Sequence, residues 1–222
     1  MRFVMPKIMI RIGYRSGGLI MIEKNYIKRV ATPNWNELPV FAVEEYVWGG
    51  AYRPATWAQM AVVENEGLRV RMTTQEANPR AVYTQNYDPV YKDSCMECFI
   101  NFAPENETAG YLNCEVNANG AILLGYGVGR EERATLPELG LPVPVVRIEK
   151  TADAWSCEYT IPMETIRTIF GIAGLEAGRV VKVNFYKCGD DTAVPHFGSW
   201  APITAAGPDF HRPECFQSLV IE

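Results

Sequence analysis

The chain has 222 residues, which suits one large β domain or two small ones. Hydrophobic residues make up 48% and charged residues 21%, an ordinary globular balance. The net charge of −5 argues against a nucleic-acid surface, which needs clustered Lys and Arg, and leaves neutral small molecules and polymers open.

The first stretch, MRFVMPKIMIRIGYRSGGLIMI, carries basic residues but no continuous apolar core and no small-residue cleavage site, so it makes a poor signal peptide. Residues 1–20 are expected to be a non-native or disordered extension, with translation starting at Met21 and a single domain over 21–222. No segment reaches the ~20 apolar residues of a membrane span. No membrane partner is expected, and the cytoplasm is the expected compartment.

Beyond it the order reads as strand after strand. Strands are expected over 40–46, 56–63 and 67–73, the last two joined by the turn-like Glu64-Asn65-Glu66-Gly67. Asn78-Pro79 and Asp88-Pro89 punctuate a loop region. Strands follow over 94–102 and 111–117. Asn119-Gly120 then signals a hairpin into a strand over 121–126. Residues 127–144, rich in Gly, Pro and charge, read as a long loop. A hairpin over 145–150 and 155–161 follows, turning at Thr151-Ala152-Asp153. After Pro162, residues 163–170 make a short helix that Gly171 and Gly174 end. The last strands are 180–188 and 218–222. Helices are too few for a parallel α/β fold. The spacing predicts an all-β antiparallel sandwich, immunoglobulin-like or jelly-roll-like, with one short helix.

Three of these strands alternate in the same sense. Met96, Cys98, Ile100 and Phe102 are apolar, as are Leu112, Cys114 and Val116, and Val181, Val183 and Phe185. The opposite parity carries Glu97; then Tyr111, Asn113, Glu115 and Asn117; then Lys182, Asn184, Tyr186 and Cys188. A sheet face that merely meets water also alternates, but it favours Lys, Glu, Thr and Ser. This face is rich in planar amides, rings and single acids, which hold bidentate hydrogen-bond partners. A sugar wants those groups: its hydroxyl pairs bridge a carboxylate, and its C–H face covers a ring. Tyr91 stands six residues before Glu97 on the same parity, and PDFHRPECF supplies Phe210 and His211 in a Pro-bracketed loop.

Six cysteines occur. Cys95 and Cys98 form a CxxC, but on a strand their odd offset sends the thiols to opposite faces, so free structural thiols are expected rather than a metal or redox pair. No metal ligands are assigned. His196 reads as structural. Trp155 reads as core, Trp200 as packing, and Trp48 as a loop residue able to extend a binding surface.

The stretches YKDSCMECF, YLNCEVNANG, EYTIP before a helix, VNFYKCGDD, SW and FHRPECFQSLVIE, in this order and spacing, resemble the family 9 carbohydrate-binding modules and more closely the standalone family-9-like proteins. The resemblance runs from about Tyr26 to the end. It implies a β-sandwich that grips a mono- or oligosaccharide between two rings. One ring stands six residues before the strand acid, here Tyr91 before Glu97. The other precedes an x-x-P-x-x-F motif, here Phe210 before His211-Arg212-Pro213. Both rings are usually Trp in the family. The next strand carries Arg then Asn in the family, here Glu115 and Asn117, and a later Gln is here Tyr186. The expected ligand-binding set is therefore Tyr91, Glu97, Glu115, Asn117, Tyr186, Phe210 and His211, with no catalytic residue and no cofactor. Many family members hold structural calcium, but no acid cluster here is assigned to it. Two other readings stay open: a glycosidase using Glu97 and Glu115, whose strands are expected to be neighbours, and a structural or partner-binding sandwich without sugar affinity.

Overall fold

The computed structural model describes residues 25–222; the expected extension over 1–20 and the start at Met21 lie outside them. Fourteen strands and one α-helix follow in chain order. The first five strands are β1 (Tyr26–Val30), β2 (Phe41–Val43), β3 (Glu45–Gly49), β4 (Thr56–Val63) and β5 (Gly67–Thr74). Then come β6 (Cys95–Asn101), β7 (Tyr111–Asn117), β8 (Ile122–Gly127), β9 (Ala134–Thr135), β10 (Arg147–Lys150) and β11 (Trp155–Pro162). The helix α1 (Met163–Phe170) precedes β12 (Val180–Gly189), β13 (His196–Ser199) and β14 (Gln217–Ile221).

Two layers form the sandwich. One runs β14-β12-β6-β7-β8-β9, with β13 and then β3 attached to β12. The other contains β10-β11-β5-β4, with β2 on β4. Strand β1 joins them: Tyr26 and Ile27 pair with β14, while Lys28 to Val30 pair with β4. Both pairings are parallel, so the sheet is mixed and not purely antiparallel as expected. The YIKRV sequence hides this strand. Only Ile27 is fully buried, Lys28 and Arg29 blur the period of two, and the pairing rests on main-chain bonds to partners far along the chain.

The apolar parities named above face inward. Met96, Cys98, Leu112, Val116, Val183 and Phe185 meet Met60, Val70, Met72 and Trp155 of the opposite layer in one core. Trp200 packs there as expected, with ring centroids 5.1 Å from Phe41 and 5.7 Å from Phe185. The expected strand over 40–46 is broken at Glu44 into β2 and β3, which serve different layers. Trp48 lies in β3 opposite Phe197, not in a loop. Gly171 ends α1 with φ of 67°, and Gly120 makes the hairpin turn with φ of 84°; both lie in the left-handed region. Strand β13 is short and contains Gly198, so it left no alternating signal. Among the described residues, no helix is long and apolar enough to cross a membrane.

Candidate functional site

The order β12-β6-β7 brings the three alternating strands side by side. Register does the rest: Glu97 lies opposite Glu115 on one side and Tyr186 on the other, while Cys95 lies between Asn117 and Cys188. Their outer face is not bare. The chain after β13 folds across one part of it, held by Asn184, whose Oδ1 accepts from Ala201 N at 2.9 Å and whose Nδ2 donates to Ala201 O at 3.2 Å. Tyr186 fastens the same segment further on. Its hydroxyl donates to Phe210 O at 3.1 Å, and its ring stacks on Phe210 with centroids 4.2 Å apart and planes 9° from parallel.

A second segment covers the other part. Asp93 Oδ2 accepts from Val82 N at 2.8 Å and Tyr83 N at 2.9 Å, and Asn117 Nδ2 donates to Tyr83 O at 2.8 Å and to Asp93 Oδ2 at 3.0 Å. The short 3-10 turn Val90–Lys92 just before Asp93 is tied to the end of β12 by Asp190 N donating to Tyr91 O at 3.3 Å and Asp191 N to Lys92 O at 3.0 Å, and it buries Val90 and leaves Tyr91 38% exposed. Between the two segments lies a cavity of about 550 Å³ with Glu97, Glu115 and Cys188 among its lining residues and Tyr91, Phe210 and His211 also lining it.

The acids at the base are almost out of water, Glu97 at 2% and Glu115 at 5% exposure. Burial, the Cys188 thiol and the facing Glu115 push the Glu97 carboxyl well above the usual carboxylate range. Burial also pushes Glu115 up, to about 7, against the pull of Asn113 and Arg133. Two facing carboxyls out of water resist holding two negative charges, so Glu97 keeps its proton while Glu115 is the readier to ionise. Cys188 Sγ donates to Glu97 Oε1 at 2.9 Å, and Asn113 Nδ2 donates to Glu115 Oε1 at 2.8 Å.

Arg133 fixes that amide. Its Nε donates to Asn113 Oδ1 at 2.9 Å, its remaining nitrogens donate to the carbonyls of Gly129, Tyr111 and Gly125, and its guanidinium lies 4.4 Å over the Tyr111 ring. Where the resemblance implied an arginine at position 115, the guanidinium comes from a neighbouring segment and an acid occupies the strand. His211 Nδ1 pairs with the Tyr111 hydroxyl at 2.7 Å. Burial and the two arginines, Arg133 and Arg130, lower its pKa to about 4, so the ring is neutral at pH 7. At the rim Arg130 and Arg212 both engage Asp209.

Five of the seven expected site residues therefore border one cavity: Tyr91, Glu97, Glu115, Phe210 and His211. Asn117 and Tyr186 are not among its lining residues. Both are fully buried, with the Asn117 amide spent on the covering loop and Tyr186 supporting Phe210 from beneath. Arg69 and Arg71 lie away from these acids, on β5, and engage Glu66, Glu158 and Glu149. Sequence reasoning missed Arg130 and Arg133, hidden in a segment read only as a loop, and Asp190, just past the end of a strand. The GREER run was the available signal, as a charge cluster inside an otherwise Gly/Pro-rich stretch.

The sequence profile described as carbohydrate-binding family 9 matches residues 30–221. The chain belongs to carbohydrate-binding family 9. No curated protein matches it. A crystal structure from Bacteroides uniformis ATCC 8492, provisionally described as a carbohydrate-binding protein, is similar over 89% of this chain and 98% of that one, with 26% identity and a TM-score of 0.74. A family 9 module from Caldicellulosiruptor kristjanssonii in complex with cellotriose is 11% identical over 89% of this chain and 93% of that one, with a TM-score of 0.59. A glucose complex of a family 9 module from the same organism is 12% identical, covering 89% and 94%, with a TM-score of 0.59. These family 9 modules share the fold with this chain.

Proposed function

We propose that the cavity binds a carbohydrate, a monosaccharide or the end of an oligosaccharide, without chemistry. The observation that carries this reading is the cavity's lining. It combines two rings, Tyr91 and Phe210, with a facing pair of carboxyl groups that retain free hydrogen-bonding capacity. Membership of family 9, and the sugars bound by family 9 modules of the same fold, support the same class of ligand.

In this reading Tyr91 and Phe210 cover the apolar C–H faces of the sugar. Apolar area removed from water contributes roughly 25 cal/mol per Å². Glu115 accepts hydroxyl hydrogens; Glu97, protonated, both donates and accepts. Bonds to the charged member are worth roughly 1.5–3 kcal/mol each. His211, neutral and held by Tyr111, adds a ring nitrogen. Asn117 and Tyr186 act one step back, by positioning the segments that carry Tyr91 and Phe210.

The test is a calorimetric screen of mono- and disaccharides against the parent protein and the Tyr91→Ala and Phe210→Ala variants. We expect saturable binding by the parent, weakened at least tenfold in each variant, with Tyr91→Ala melting within a few degrees of the parent. Silence across the screen with folded protein overturns the reading. One observation favours a rival: Glu97 and Glu115 are direct cross-strand neighbours with unequal proton affinities, as a glycosidase pair requires. Release of reducing sugar from aryl glycosides, abolished by Glu97→Gln, would establish hydrolysis instead.

A further inference from the structure

Of the six cysteines, three lie wholly within the main core. Cys98, Cys114 and Cys157 point into the main core among Met, Leu, Ile and Val side chains. Cys215 is half-buried within the covering segment itself, in the 3-10 turn Pro213–Cys215. Cys95 and Cys188 differ. They lie directly opposite each other on β6 and β12, on the outer parity. The CxxC is split by the pleat, Cys98 going to the core and Cys95 to the site side. Glu97, two residues beyond Cys95, shares that face.

One thiol sulfur from each cysteine and one carboxyl oxygen of Glu97 all lie within 4.8 Å of one another. All three residues are buried, at 0%, 2% and 2% exposure for Cys95, Cys188 and Glu97. The group is poorly served by the rest of the protein. Glu97 Oε1 takes its bond from the Cys188 thiol, Cys188 has a further contact to Tyr91 O at 3.5 Å, and Cys95 lies against the Cys188 thiol with Met96 O 4.0 Å from its sulfur. Cys95 and Cys188 pack with Val90 and Ala121, bordered by Leu123, Phe197 and Phe210, but apolar packing alone does not call for two thiols and a carboxyl in one another's reach. Three potential ligand atoms crowded together in a nearly dry site are instead what a cation would organise.

We propose that Cys95, Glu97 and Cys188 hold a thiophilic divalent cation of the zinc class at the base of the cavity, with a fourth coordination position open to its interior. Bond lengths of about 2.3 Å to sulfur and about 2.1 Å to oxygen put tetrahedral ligand atoms ~3.5–3.8 Å apart. Cys188 Sγ and Glu97 Oε1 stand 2.9 Å apart and no pair of the three ligand atoms exceeds 4.8 Å, so side-chain adjustments of about 1 Å bring the cluster to that spacing. Two sulfur donors select zinc-like ions over calcium or magnesium, which take oxygen. Three protein ligands with one vacancy is the open arrangement, and Glu97 and Cys188 border the cavity from which an ion and a fourth ligand would enter. The lining acids Glu97, Glu115, Asp190 and Asp209 are balanced by Arg130 and Arg133, so selection of the ion rests on the two sulfur donors rather than on the charge of the cavity. The Lys187 ammonium does not oppose the ion as a cavity group, because its nitrogen is bound to Ser94 Oγ, Cys188 O and His196 Nε2. Binding replaces the protons on two thiols and one carboxyl by a single 2+ ion, so the loaded site carries one negative charge and up to three protons leave. Loading the ion takes the proton from Glu97, so in the loaded form Glu97 accepts from a sugar hydroxyl but does not donate; the cation site itself is read in the absence of sugar.

The test uses the full chain, reduced and stripped with a chelator, titrated with Zn²⁺ by calorimetry and with Cd²⁺ by ultraviolet absorption. We expect one ion per chain, an intense cadmium–thiolate charge-transfer band, a melting temperature raised by Zn²⁺, and no competition from a hundredfold excess of Ca²⁺. Cys95→Ala and Cys188→Ala should each weaken binding at least a hundredfold, while Cys215→Ser leaves the titration unchanged. The band and its stoichiometry are read on the parent protein, so a poorly folding variant does not remove the test. Absence of the band overturns the proposal, as does a band that survives both alanine variants or disappears with Cys215→Ser.

Discussion

Asn117 offers the sharpest separation between a ligand-binding role and a positioning one. Its side chain makes four hydrogen bonds: Nδ2 donates to Tyr83 O and Asp93 Oδ2, and Oδ1 accepts from Asn119 N and Ala121 N. No atom of it borders the cavity. At roughly 1 kcal/mol net per bond, truncation to alanine removes about 4 kcal/mol, a large share of the stability of an ordinary domain. For a chain of this size each kcal/mol moves Tm by roughly 2–4 °C, so Asn117→Ala should melt ~8–16 °C below the parent. Asn117→Asp should be no better, because it keeps both acceptors, loses both donors, and sets a carboxylate against Asp93. Thermal unfolding followed by circular dichroism, with urea titration for the free energy, measures both. An alanine variant that melts within ~2 °C of the parent yet no longer binds sugar would refute the reasoning and return Asn117 to the ligand.

Glu115 links the site to pH. Its folded pKa is raised, so between about 4.5 and 7 the folded chain holds a proton that the unfolded chain has released, and stability falls as pH rises through that window. The loss approaches roughly 3 kcal/mol, from about 1.4 kcal/mol per pH unit. In chelator, Glu115→Gln should therefore gain on the parent between pH 4.5 and 7; urea titrations showing a constant difference would contradict this. Lys187, Glu76 and Ser94 form a buried charged group beneath the same sheet, with Lys187 Nζ 3.4 Å from Glu76 Oε2 and the Trp155 indole donating to that oxygen at 3.1 Å. Lys187→Met alone should cost about 3–5 kcal/mol by stranding Glu76, and adding Glu76→Gln should recover most of it. Additive losses in that double-mutant cycle would show that the pair is not coupled.

Much of the sandwich was legible because its signal is local. Thr56–Val63, Tyr111–Asn117, Trp155–Pro162 and Met163–Phe170 announce themselves through period, turn residues and caps, and the structure ends them within a residue of expectation. The faces of β6, β7 and β12 were legible for the same reason: a pleat fixes which side chains share a side, whatever the strands pair with. Tyr26–Val30 and His196–Ser199 were not, since the first is charged and parallel-paired, and the second is short and broken by glycine.

What the sequence determined by itself is therefore parity: Glu97 and Glu115 on one side, Cys98 and Cys114 on the other. Only the tertiary structure decided what that parity meets. Neighbouring order put Glu97 against Glu115 and Cys95 against Cys188. The segment after β13 and the loop before β6 then covered part of the face, burying Tyr186 and Asn117 as supports and leaving Tyr91 and Phe210 on the cavity. Alternation is set by bonds between adjacent residues, whereas cover is set by contacts between residues far apart in the chain, such as Tyr111 and His211, a hundred positions apart, which no local pattern encodes.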